Sequence, residues 1–238
     1  MKIDATNVDF QELNEMIKAV DGDVEVDGCL GQRFIGVKRS SGKLIINGTP
    51  GNALGAYLDG CTIEVNGNVQ DAVGDTMNDG EIIVHGNAGD ALGLAMRGGN
   101  IFVRGDVGYR AGVHMKEYKE KRPVIVIGGG AGSFLGEYSA GGLIIVLGIG
   151  YTKAPISNFT GTGMHGGKIF IRTEAELPPL PAQVIKEPAT AEDLDAIAPY
   201  VKKFSEYFGQ DITEILKDKF VVLRPNAKNP YKALYVAN

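Results

Sequence analysis

Through most of the chain, apolar residues stand two apart with a polar or variable residue between them, and all such pairs but the last lie just ahead of a glycine. Val24 and Val26 precede Gly28, Leu44 and Ile46 precede Gly48, and Ile63 and Val65 precede Gly67. The same pairing continues with Ile82 and Val84, Ile101 and Val103, Ile125 and Ile127, Ile144 and Val146, and Ile169 and Ile171. A period of two reads as a short strand, and glycine-rich turns with no long helix between the signals disfavour an alternating strand and helix fold.

The pairs recur at a fixed interval. Gly48, Gly67, Gly86 and Gly105 are nineteen residues apart, and so are Gly55, Gly74, Gly93 and Gly112. Such a period marks a stacked repeat in which every strand pairs with its equivalent in the next coil. The expected fold is an all-β solenoid, a right-handed parallel β-helix of about seven to eight coils, each coil built of two or three short strands. Equivalent residues would then lie about 4.8 Å apart, giving a column on the order of 38 Å long. Leu54, Val73, Leu92 and Ala111 would form one inward ladder, and Leu58, Met77, Met96 and Met115 another. Thr49, Asn68, Asn87 and Asp106 each follow a repeat glycine, where polar residues that tolerate left-handed backbone are expected.

Three regions are expected: an N-terminal cap over 1–22, the β-helix over 23–174, and a proline-rich arm, helices and tail over 175–238. Phe10, Leu13, Ile17 and Val20 share one helical face behind Asp9 and Glu12, so a capping helix is expected over the first coil. ELPPLPAQVIKEP reads as an extended arm. Thr190 to Phe208 reads as a helix broken or kinked at Pro199 and ended by Gly209. Asp211 and Glu214 suit a short helix through Leu216, and FVVLRP a strand. The repeat is interrupted in Lys116 to Arg122 and again in Gly148 to Asn158, and such insertions form outer loops. Lys116, Tyr118, Lys119 and Tyr151 are therefore the candidate partner contacts, against the plainer alternative of solvated loops.

Composition narrows the function. Glycine, 34 of 238 residues, is about twice its usual share, which fits many tight corners. A net charge of -5 argues against nucleic acid as the main partner. The absence of a long apolar run argues against a membrane, and Cys29 and Cys61, far apart, fit a reducing cytoplasm.

No catalytic, cofactor-binding or metal-binding residues are assigned in this chain. VIVIGGGAGSFLG, Val124 to Gly136, is similar to a nucleotide-binding turn, but Ser133 stands where a glycine is required, and another coil follows instead of a helix. His85, His114 and His165 lack metal spacing and read as solvated or locally bonded. Asp71 and Asp90 align beneath Asn52, an acidic ladder open to a cation or to acid–base work, although no aromatic cleft accompanies it. Ser133, Ser139 and Ser157 lack a nucleophile context. Arg97 and Lys116 align one coil apart, with Arg104 and Arg110 nearby, as a basic edge for an acidic partner.

The glycine unit G-x-x-G-x-x-x-G appears as Gly48, Gly51, Gly55, as Gly86, Gly89, Gly93, as Gly105, Gly108, Gly112 and as Gly129, Gly132, Gly136. Together with GQRFIG at 31, GTPGNALGAYLDG at 48, MRGGNIFVRGDVGYRAGVHMK at 96 and FLGEYSAGGLIIVLG at 134, it resembles the C-terminal GXGXG β-helix domain of the glutamate synthase large subunit. Gln70 departs from the pattern in the second unit. The resemblance implies a stand-alone structural subunit, cytoplasmic and itself without cofactor, in a complex forming glutamate from glutamine and 2-oxoglutarate. It also implies partners: a glutamine amidotransferase subunit and a flavin/iron–sulfur synthase subunit holding FMN and iron–sulfur clusters. A stacked column also invites self-association as a homo-oligomer. Glycine-repeat subunits of formylmethanofuran dehydrogenase and N-methylglutamate-synthase-like enzymes are the alternative, and a β-helical enzyme in its own right is the second.

Overall fold

Eight parallel strands, one per coil, occupy the eight alternating segments. They are β2 (Val24–Leu30), β3 (Lys43–Thr49), β4 (Asp59–Asn66), β5 (Asp79–Val84), β6 (Asn100–Val103), β7 (Val124–Ile127), β8 (Ala140–Val146) and β9 (Gly166–Arg172). This computed structural model describes residues 1–226. Leu44, Ile63, Ile82, Ile101, Ile125, Ile144 and Ile169 lie in line, each beside the next, and register shifts fall only toward strand ends in β2, β4 and β8. The chain is an all-β parallel solenoid whose strands stack into one 11-stranded sheet.

The remaining strands close the ends. At the start β1 (Lys2–Asp4) pairs parallel with β2, and α1 (Phe10–Lys18) lays Leu13 and Ile17 over the open interior. Asp9 caps α1 by accepting from the N–H groups of Gln11 and Glu12. At the far end β11 (Phe220–Pro225) pairs antiparallel with β9, and β10 (Val184–Pro188) with β11. Part of the expected extended arm is thus a strand, and Leu177 and Leu180 ahead of it pack against the last coil's interior.

Each coil has one strand, not the expected two or three. The chain leaves the strand, turns a corner, touches its neighbours through a single bridging residue (Val69, Ala88, Val107, Ala131 and Ile156 in successive coils), then runs through a tight arc. In the second coil positive φ recurs at Ala53, Gly55 and Tyr57, alternating with Leu54 and Ala56. This alternation turns Leu54 and Leu58 inward, both fully buried, while Tyr57 is exposed. It also aims amides both ways along the column. Ala53 N–H donates to Asp71 O of the next coil at 2.9 Å, Gly55 N–H to Ile35 O of the previous one at 2.8 Å, and Tyr57 N–H to Asp75 O at 2.8 Å.

The inward isoleucine, valine, leucine and methionine ladders are at most a few per cent exposed and form one continuous core. Burying each such side chain contributes about 1.5–3 kcal/mol before conformational entropy is subtracted. A second core lies on the sheet's outer face. There Ile83, Phe102, Val126, Ile145 and Phe170 are covered by Ile197, Val201, Phe204 and Phe208 of α2 (Ala191–Phe208), with α3 (Ile212–Leu216) beside it. α2 begins in a Thr190/Asp193 capping box and ends at left-handed Gly209. Of the break or kink expected at Pro199 there is no break: α2 runs on through it, because Pro199 and Asp195, whose carbonyl loses its partner, are both exposed and water can satisfy the freed group. Tyr207 donates to Glu81 at 2.6 Å and Lys203 pairs with the same carboxylate, fastening α2 to the column.

A side chain at Gly93 would demand left-handed backbone and collide with Ile125 Cδ1 in the core. Gly93→Val is expected to cost at least about 3 kcal/mol. Lys119→Ala, on an exposed loop, is expected to stay within about 0.5 kcal/mol. Urea midpoints of the two variants, compared with the parent chain, check this difference.

Candidate functional site

The polar residues most suggestive of chemistry lie at the corners, and they bond from coil to coil. Asn52 Oδ1 accepts from Asp71 N–H at 3.2 Å, Asp71 Oδ1 from Asp90 N–H at 2.8 Å, and Asp90 Oδ1 from Tyr109 N–H at 2.7 Å. A second ladder runs beside it: Asn68 to Asn87 N–H at 2.9 Å, Asn87 to Asp106 N–H at 2.9 Å, and Asp106 to Gly130 N–H at 2.8 Å. Asn68, Asn87 and Asp106, of a kind that tolerates left-handed backbone, do not adopt it; their side chains serve as acceptors. Left-handed backbone falls instead at Ala53, Ala72, Ala91 and Arg110, and at Tyr57, Thr76, Ala95 and His114.

These ladders account for two of the three repeat glycines. A Cβ on Gly108 would collide with Asp90 Oδ1, the very atom that accepts from the following N–H; Gly89 stands in the same relation to Asp71. Where Gln70 replaces the glycine, the corresponding bond is the longer one, 3.2 Å. Gly86, Gly89, Gly105, Gly108 and Gly129 thus make room for a side-chain carboxylate or amide oxygen of the coil before, whereas Gly48, Gly51, Gly67 and Gly132 make room for its backbone. In sequence the signal is an Asx directly after a repeat glycine, which reads as turn chemistry until the coils are stacked.

The other candidates disperse. His85 Nε2 lies 2.8 Å from Glu64 and packs edge-on against Phe208, beneath α2. Lys43, at 2.7 Å, and then His85 hold the Glu64 carboxyl below its ordinary range. His114 stacks on Tyr138 at 5.3 Å. Among the described residues no group of three or more His, Cys, Asp or Glu is placed to hold a metal ion. Both cysteines are buried thiols, and burial pushes Cys29 up to about 11, far from a reactive thiolate. In Val124 to Gly136 the strand β7 leads through the bridging Ala131 to β8 with no helix, so its glycines are corners. Ser133 donates to Ser157 at 3.1 Å, and Ser139 to Gly166 O at 3.4 Å.

The two insertions behave differently. In the first, Tyr118 and Lys121 form a small turn with Lys119 at its tip, and Lys121 reaches Asp59 at 3.3 Å and Asp79 at 3.1 Å. It lies lengthwise along the column, with Lys116, Tyr118 and Lys119 exposed at one corner. In the second, Tyr151 donates to Asp106 at 2.9 Å and lies on Gly130, ending the second ladder at a different corner. The basic edge contracts to Arg97 and Lys116: Arg110 pairs with Glu137 at 3.0 Å, and Arg104 lies across the column beside the sheet. Among the described residues no helix is long and apolar enough to cross a membrane.

Replacing Asp90 with Asn keeps the acceptor and should leave stability within about 0.5 kcal/mol, whereas Asp90→Ala orphans the Tyr109 amide and should cost about 1 kcal/mol. Thermal or urea unfolding of both variants reads the difference.

Comparison with known proteins fits this architecture. The chain is 44% identical over 248 aligned residues to the uncharacterized protein MJ1350 of Methanocaldococcus jannaschii, covering 98% of this chain and 95% of that protein. Its fold is similar to a chain in the crystal structure of the formyltransferase/hydrolase complex FhcABCD from Methylorubrum extorquens in complex with methylofuran. The TM-score is 0.65 at 18% identity, over 92% of this chain and 88% of that one. The GXGXG motif family model matches residues 13–226, so by sequence and by the geometry of its glycine corners the chain belongs to the GXGXG motif family.

Proposed function

We propose that this chain is a scaffold subunit, without an active site of its own, of a multi-subunit glutamate-synthase-type complex. In this reading a glutamine amidotransferase subunit and a flavin/iron–sulfur subunit carry the chemistry, with FMN and iron–sulfur clusters in the partners. The observation that carries it is the use made of the corner polar groups. Asp71, Asp90 and Asp106, the carboxylates best aligned for catalysis or a cation, accept backbone amides of the next coil. The long glycine-centred strings shared with the glutamate synthase domain support the choice of complex. A second reading, favoured by the fold match to a chain of the formyltransferase/hydrolase complex, is the equivalent β-helix subunit of a formyl-group enzyme such as formylmethanofuran dehydrogenase.

Purification of the untagged chain from its source cells under mild salt separates these. Co-elution with an amidotransferase and a flavoprotein is expected. Co-elution with formyl-group enzymes would replace the first reading with the second, and a chain that elutes alone would overturn both.

A further inference from the structure

Apart from Leu30, the last residue of β2, the large apolar side chains left exposed among the described residues lie off the sheet. Tyr57, Tyr138 and Phe159 sit on the arc at left-handed positions, Tyr109 is beside it, and Tyr118 lies in the first insertion. A bulky side chain in left-handed backbone costs about 1–2 kcal/mol relative to glycine. Tyr57, Phe159 and Tyr138 recover little of this by burial, being 46%, 54% and 38% exposed. Stacking imposes that backbone on Ala95 of the same arc as well, so it is the exposed rings, which the fold does not require, that point to a task outside it.

The aromatic groups are ordered. Arg110 lies over the Phe134 ring at 4.7 Å, and Phe134 stacks on Phe159 at 4.9 Å, one rung to the next. His114 and Tyr138 stack in parallel four positions along the same arc. Bordering them, Arg97 and Lys116 occupy consecutive rungs of one corner, their amides donating to Met77 O and Met96 O. Both are exposed, and among the described residues neither side chain has an acidic partner. Glu137, the carboxylate within this part of the arc, is already bonded to Arg110 at 3.0 Å. The patch is thus aromatic with two uncompensated cations, on a chain whose net charge is -5.

We infer that the arc around Arg97, Arg110, Lys116, Phe134, Tyr138 and Phe159 is the docking surface for an acidic, apolar-bearing segment of a partner protein. This rests on the scaffold reading and says which face the partner takes. Carboxylates of the segment would meet Arg97 and Lys116, and its apolar side chains would lie on the Phe134 and Phe159 rings. Interfaces of this kind favour Tyr, Phe and Arg, with charge complementarity setting encounter and orientation. A nucleic acid would also meet rings and cations, but the acidic chain as a whole would repel it.

Hydroxyl-radical footprinting of the full chain, free and in its native complex, tests the inference. Oxidation of Phe134, Tyr138 and Phe159 is expected to fall several-fold in the complex. Arg97→Glu with Lys116→Glu should weaken the complex by about tenfold or more, with an unchanged melting temperature. Phe159→Gly should also weaken it while leaving the melting temperature unchanged or higher, since the left-handed strain is relieved; a residue of purely structural importance would lower it. A complex in which these rings stay reactive overturns the docking surface and leaves the scaffold reading standing. Equal protection in a dimer of the free chain, or tight binding of poly-uridine, also overturns it. A chain with no complex at all overturns both.

Discussion

Everything in this molecule depends on the bonding of one coil to the next. Some arc amides bond three residues back in their own coil, as Ala56 N–H does to Ala53 O and Leu58 N–H to Gly55 O, but the backbone N–H groups between them must find acceptors in the coil above or below. The strands do this through a parallel ladder. The corners do it through Asx side chains, whose oxygens fill the space left by the absent Cβ of a glycine one coil on. Gly and Asx are therefore two halves of one device. The period of nineteen is what keeps the halves in line.

That device also settles where the polar chemistry goes. A carboxylate that holds an amide of the next coil has one oxygen committed and is fixed in position by its rung. The acidic ladder of Asp71 and Asp90 is accordingly part of the frame. With the column interior filled by aliphatic ladders and much of the sheet's outer face covered by α2, exposed aromatic groups stand on the arc, at Tyr57, Tyr138 and Phe159, and in the insertions, at Tyr118 and Tyr151.

Much of the fold was legible because repetition amplifies weak signals. Eight pairs of apolar residues two apart marked all eight coil strands, and the fixed interval put Leu54, Val73, Leu92 and Ala111 on one buried ladder. What escaped was set by stacking rather than by local preference. Ala53, Tyr57, Thr76 and Ala95 adopt left-handed backbone although their side chains disfavour it, because that geometry points their amides at the neighbouring coil. The same effect reduced the expected two or three strands per coil to one strand and a bridge. The three residues of β1 are too few to show a period, and Pro199 stayed in its helix because its exposed side tolerates the lost bond. At the candidate site, the alignment of Asp71 with Asp90 was readable from spacing, but their role as backbone acceptors appears only once glycines and side chains are placed together.

The central claim is that corner side chains hold the coils together as firmly as strand ladders do. Residue-resolved amide hydrogen exchange on the free chain tests it most directly. The amides of Asn87, Asp90, Asp106 and Tyr109, which donate to an Asx oxygen of the preceding coil, are predicted to exchange as slowly as strand amides such as that of Ile83. If they exchange at the rate of the exposed loop amide of Glu120, the corners are not bonded as described and the account is wrong.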